Sequence, residues 1–166
     1  MAPVTGAGSA GNVGMMKRLS TVMLGLLPLG NVAFAEDGAV LYQTNCSICH
    51  EAGAQGRPGQ FPPLVGRAAQ ISATAEGRQY MAAVALNGIM GRITVGDDIY
   101  TGFMPSFKML PDEDIAAILN HVASLPGGDE TVLFTPSDIA TARTERLSPP
   151  AVAEKRKILD VIHPLP

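Results

Sequence analysis

The chain has 166 residues, enough for one modest domain with appendages. It contains no Trp, three Tyr and five Phe, too few aromatic side chains to fill a large core by themselves. A formal net charge of −3 speaks against a nucleic-acid partner, and the two cysteines, both within residues 46–49, leave no wider disulfide framework.

Residues 1–14 are rich in Gly, Ala and Ser and carry no charge. They fit either a disordered leader or a start site placed too early, with initiation at Met15 or Met16. Lys17-Arg18 then forms a basic run, residues 21–34 an apolar run broken by Pro28 and Gly30, and Ala33-Phe34-Ala35 a small-x-small cleavage signal. This pattern predicts that residues 1–35 are leader and signal peptide, with a periplasmic mature chain starting near Glu36. The alternative is an uncleaved anchor, although the apolar run is short for a membrane span. Cleavage leaves 10 basic against 15 acidic residues, a net charge of −5.

Residues 38–45 predict a short helix capped by Asp37. Gly38 and Tyr42 share a face of it, and the glycine suggests that another element approaches closely there. Next comes Cys46-Ser47-Ile48-Cys49-His50. At this spacing each thiol can add to one haem vinyl group, and the adjacent histidine then lies beneath the iron as an axial ligand. A single covalent haem c is the expected cofactor, and its bulk would supply the apolar filling that the few aromatics do not. Two other chemistries use paired cysteines, a redox dithiol and a zinc site. The first expects a βαβ context, which the sequence lacks, and the second expects nearby ligands, whereas His121 and His163 are remote.

Residues 51–63 are rich in Gly, Pro, Gln and Ala and predict a loop ending in Phe61-Pro62-Pro63. The chain here resembles class I cytochromes c, in which a Pro-x-Leu-x-Gly run follows the CxxCH motif; Pro62-Pro63-Leu64-Val65-Gly66 matches it. The resemblance implies that the Pro62 carbonyl accepts the Nδ1–H of His50, that Leu64 packs on the haem face and that Gly66 allows tight backbone passage. Arg67 is either a solvated loop cation or a partner for a haem propionate, since a guanidinium matches a carboxylate bidentately.

A helix is predicted over residues 75–87, capped by Thr74 and stopped by Gly88, with Tyr80 and Met81 in the core. Two short β-leaning runs around Gly96-Asp97-Asp98 predict a hairpin over residues 91–102. This insert resembles the longer class I form found in cytochrome subunits or partners of periplasmic dehydrogenases. Tyr100-Thr101-Gly102-Phe103-Met104-Pro105 matches the run leading to the second iron ligand of those proteins. Pro105 disfavours helix at Met104, so an extended loop is expected to present its thioether inward. Met90 is the next candidate, and Met109 is expected in the core.

Asp112, Glu113 and Asp114 suit a first helical turn, and Ile115, Ile118, Leu119 and Val122 recur at helical spacing. The resemblance makes this the closing helix, crossing the first one at Gly38 and Tyr42. His121 stands where the family commonly has Tyr or Trp, and reads as a packing residue or a pH-sensitive modulator. Beyond a Gly-rich linker, two further helices are predicted, over residues 137–146 and over 149–159 with Ser148 as cap. Their apolar residues are too few for a separate core, so this tail packs back on the domain or docks a partner. Lys155-Arg156-Lys157 reads as a solvated face.

The sequence therefore predicts a mostly α chain with the class I cytochrome c fold over residues 36–127 and a helical extension over 128–166. Crossing terminal helices, loops and a middle helix would enclose the haem, with a small β-hairpin as insert. Site residues are Cys46, Cys49, His50, Pro62, Leu64, Arg67 and Met104, with His50 and Met104 on the iron. A thioether raises the potential and fills the sixth position, which implies outer-sphere electron transfer rather than catalysis at the metal. A periplasmic dehydrogenase is the expected donor, and another cytochrome or a terminal oxidase the acceptor. Membrane association would come only through partners or an uncleaved leader. The alternative function is a haem enzyme or gas-binding cytochrome with a labile distal ligand.

Overall fold

The computed structural model describes residues 37–126 and 134–166; the predicted leader and most of the linker lie outside the described residues. Helix α1 is Gly38–Asn45, capped by the Asp37 carboxylate, which accepts the Ala39 N–H at 2.9 Å. The chain bends at Cys46 into the single-turn helix α2, Ser47–His50. Loop residues 51–67 follow, then α3 (Ala68–Ser72) and α4 (Ala75–Asn87). Thr74 caps α4 by accepting the Gly77 N–H at 3.0 Å, and Gly88 ends it. Strands β1 (Ile89–Val95) and β2 (Asp98–Met104) make an antiparallel hairpin, followed by α5, Asp112–Ala123. Among the described residues no helix is long and apolar enough to cross a membrane.

The crossing of α1 and α5 organises the packing. A Cβ on Gly38 would stand 2.2 Å from the Ala117 carbonyl oxygen, so only glycine admits the backbone of α5 this close. One turn on, Tyr42 is fully buried, its ring 5.4 Å from the His121 imidazole and its hydroxyl donating to the Glu51 carbonyl at 2.8 Å. His121 thus packs against Tyr42. Leu41, Tyr42, Ile115, Leu119 and Val122 meet Tyr80, Met81 and Leu86 of α4 in one core.

The tail forms α6, Pro136–Ala142, and α7, Pro149–Ile162. A reciprocal pair of bonds between Thr135 and Asp138 caps α6, and Ser148 caps α7. Helix α6 is shorter than predicted. After Ala142 the N–H groups of Thr144 and Glu145 turn to carbonyls three residues back, which tightens the chain out of the helix. Helix α6 packs on α4 and α5, and α7 on β1 and α4, so Phe134, Ile139, Val152 and Leu159 join the same core. The tail packs back.

Two further features differ from the sequence reading. Helix α3 is not predicted, since five residues carry too little periodicity to register. The hairpin is longer, because cross-strand pairing extends through Met90–Phe103 to Ile89–Met104. Met104 is therefore the last residue of a strand rather than part of a loop.

Candidate functional site

His50 sits in the last turn of α2 and is only 7% exposed. Its Nδ1 lies 2.9 Å from the Pro62 carbonyl oxygen. A carbonyl only accepts, so Nδ1 carries the proton and Nε2 keeps its lone pair. Burial holds the imidazole below its usual pKa despite the opposing pull of that carbonyl, which leaves it neutral and able to bind a metal. The loop is built to place Pro62: Gly56 N–H donates to the His50 carbonyl at 3.0 Å, and Leu64 and Val65 donate to Ala54 at 2.8 and 3.1 Å.

Met104 reaches the site from the other direction. Its strand is aligned by pairing with Ile89, and the next residues hang from the end of α4. Phe107 N–H donates to the Ala85 carbonyl at 2.9 Å and the Ser106 hydroxyl to the Leu86 carbonyl at 2.5 Å. Helix and hairpin together fix where the thioether stands.

These side chains line one crevice formed by two adjoining cavities of about 160 and 360 Å³, which share His50, Pro62, Ile89, Ile93 and Met104. The first also takes in Cys46, Leu64 and Arg67, with apolar walls from α4 and α5. The second takes in Cys49, Phe61, Tyr100 and Phe103. The structure thus brings all seven predicted site residues to one crevice.

The crevice also holds groups that the sequence reading places elsewhere. Tyr80, buried as expected, lies on its wall. Arg156 of α7 lies there too, only 7% exposed, whereas the sequence reading sets it on a solvated face with its neighbours. Lys157 does face outward and Lys155 keeps part of its side chain in water, paired with Glu154 and Glu145 respectively. Arg156 instead shares the buried face of Val152 and Leu159, a periodicity that would have distinguished it from the two lysines. Met109, expected in the core, is 87% exposed because it stands in the turn before α5. Met90 lines neither cavity.

The rival uses of paired cysteines fit poorly. Burial, and then the neighbouring Cys49, pushes the Cys46 thiol up to about 11, opposite to the activated thiol of a redox dithiol. Among the described residues no group of three or more His, Cys, Asp or Glu side chains could hold a metal ion, as a zinc site requires.

The family model for cytochrome c matches residues 35–126, more than half of the chain. The chain belongs to the cytochrome c family. It is 42% identical over 149 residues to a cytochrome c-552 of Thermus thermophilus, covering 87% of this chain and 98% of that one. A second cytochrome c-552 from Thermus thermophilus is 42% identical over 127 residues, 74% of this chain and 96% of the relative. The cytochrome c subunit of a quinone alcohol dehydrogenase from Gluconobacter oxydans is 30% identical over 134 residues, 80% of this chain but 26% of that subunit. The 87% covered by the first relative exceeds what residues 1–126 could supply, so that likeness runs into the tail. As a cytochrome c the chain is an electron carrier with a single covalent haem c, and its fold is the mostly helical cytochrome c fold with a two-stranded sheet. The crevice fits that group: it offers two thiols, a neutral imidazole, a thioether, apolar walls and two guanidinium groups.

Proposed function

We propose that Cys46 and Cys49 carry the haem as thioethers and that His50 and Met104 are the ligands of its iron. In the cell the protein would take single electrons from a periplasmic dehydrogenase and pass them to another cytochrome or a terminal oxidase. The observation that carries this reading is the convergence of His50 and Met104 on one apolar crevice, with the proton of His50 held on Nδ1 by Pro62. The haem, when bound, supplies a one-electron ferric/ferrous couple.

The protein's part is to orient, tune and exclude water. Pro62 fixes the imidazole tautomer and strengthens Nε2 as a donor. Met104 would contribute a soft thioether that favours the reduced metal, and together with His50 it would leave the iron no open position for oxygen or peroxide. Leu64 and Arg67 line the same crevice, where Leu64 would pack on a haem face and Arg67 would pair with a propionate. Two features support the donor and the compartment: the likeness to a dehydrogenase subunit, and the basic-apolar-small pattern ending at Ala35. The excess of acidic residues after that point would steer the protein toward a basic partner face.

The deciding experiment is spectroscopic. The ferric protein should show the weak far-red band of methionine–iron ligation, and the ferrous protein should not take up CO. Met104→Ala should abolish the band and admit CO. A wild-type protein without the band, or one that binds CO rapidly, is a gas-binding or catalytic haem protein instead.

A further inference from the structure

Arg156 poses a problem that the electron-carrier reading does not address. A guanidinium taken out of water needs a counter-charge or a full set of acceptors. Arg156 is 7% exposed, and its Nη2 donates to the Thr94 carbonyl at 2.8 Å. The Tyr80 hydroxyl lies beside it, held above its usual pKa by burial against the opposing effect of Arg156. The ion pairs of the described residues include no carboxylate for Arg156, and none for Arg67. Among the described residues no buried side-chain nitrogen or oxygen is sealed off without a partner, so the donors of Arg156 not taken by Thr94 and Tyr80 are not sealed off, and Arg156 lines the crevice.

Arg67 makes the arrangement costlier. It lines the same cavity, and burial, followed by the like charge of Arg156, holds it below its ordinary range. A chain with 15 acidic residues has set two cations within electrostatic reach of each other and matched neither with an acid among the described residues. That is the electrostatic complement of a ligand bearing two carboxylates on an apolar body. Haem has that chemistry in its two propionates.

We propose that Arg156, supplied by the C-terminal tail, is a haem propionate partner alongside Arg67, so that docking of α7 contributes to the reduction potential. This inference rests on the assignment of the crevice to haem. The tail then has an electronic as well as a structural role. A fixed cation near the haem opposes the more positive ferric state, and Arg156 raises the potential.

Equilibrium voltammetry and resonance Raman spectra of the full-length holoprotein test this. Arg156→Gln should move the ferrous/ferric balance toward ferric by about tenfold, a fall of about 59 mV for a one-electron couple. It should also shift the propionate bending band. Lys155→Gln and Lys157→Gln change the net charge equally on the same helix, and should leave the potential within about threefold and the band in place. If Arg156→Gln does not accumulate, Arg156→Lys decides: it keeps the charge but loses the planar fork, so the band still shifts. An Arg156 variant with an unmoved propionate band, or Arg156→Gln with an unmoved potential, overturns the proposal. The far-red band of the wild type is the separate check on the axial ligands. Its absence counts against Met104, whereas its persistence beside an unmoved potential counts against Arg156.

Discussion

A Cβ on Gly88 would stand 2.4 Å from the carbonyl oxygen of Met104. The residue that ends α4 is therefore also the one that lets the Met104 backbone approach. Gly88 has φ +73 and ψ 178, a region that is essentially glycine's alone. Gly88→Ala combines backbone strain with a clash, each of about 1–3 kcal/mol, and should cost about 3 kcal/mol in denaturant unfolding of the holoprotein. Because the clash pushes on Met104, the far-red band should weaken and CO uptake should appear. A variant as stable as the wild type, with the band intact, would remove Gly88 from the support of this ligand.

Tyr42 ties α1 to the end of α2. Its hydroxyl donates to the carbonyl of Glu51, a residue in the left-handed region at φ 65. Tyr42→Phe leaves that carbonyl without its donor and should cost about 1–2 kcal/mol. With both thiols free, burial, followed by Cys46 and Glu51, pushes the Tyr42 hydroxyl up to about 12 from 10.0, and the largest cause, burial, does not depend on the thiol. The folded state therefore keeps this proton where the unfolded chain begins to lose it. The resulting stability is whole below pH 10.0 and is lost as pH rises toward about 12. Stability curves over that window should fall more steeply for the wild type than for Tyr42→Phe. Parallel curves would show that Tyr42 does not titrate this way.

Much of this was legible because the signals are local. The CxxCH spacing, the caps at Asp37, Thr74 and Ser148, and Gly88 as a helix stop each need only a few neighbouring residues, and each cap is formed. Gly38 was legible as a close-approach site for a similar reason: glycine on a helix face needs an explanation. The remainder depends on tertiary placement. Arg156 cannot be told from Lys155 and Lys157 until the buried face of α7 is known. Met104 reads as loop because pairing with Ile89, which makes it strand, is fixed by the other half of the hairpin. Met109 reads as core by its composition, and only its position in a turn exposes it.

Phe134, the first described residue beyond the linker, is held by the side chain of Asn120. Asn120 of α5 donates from Nδ2 to the Phe134 carbonyl at 2.9 Å and accepts the Phe134 N–H on Oδ1 at 2.6 Å. It thereby satisfies both backbone groups of a residue that is 3% exposed. Asn120→Ala strands both and should cost about 2–3 kcal/mol. Asn120→Asp keeps the acceptor but sets an oxygen against the carbonyl, and should recover less than half. Hydrogen exchange at the Phe134 amide reads the effect directly. If exchange there is unchanged in Asn120→Ala, this pairing does not hold the tail.

The second clasp of the tail is Arg143, just past α6. Its Nε donates to Asp112 at 2.5 Å, its Nη1 to the Lys108 carbonyl at 2.6 Å and its Nη2 to the Leu110 carbonyl at 2.5 Å. The ion pair alone is worth little, since both side chains keep a quarter or more of their surface in water. The fork matters more, because one planar group gathers two carbonyls of the turn before α5 and the carboxylate that opens the helix. That turn connects the Met104 strand to the closing helix, so its geometry bears on both. Arg143→Ala should cost about 2 kcal/mol, and Arg143→Lys should recover less than half, because one ammonium cannot reach three acceptors spread from Lys108 to Asp112. Asp112→Asn, which removes the charge but keeps an acceptor, should cost under about 1 kcal/mol. If Asp112→Asn matched Arg143→Ala, the ion pair rather than the fork would hold the tail. The order of the three variants in thermal unfolding separates the two.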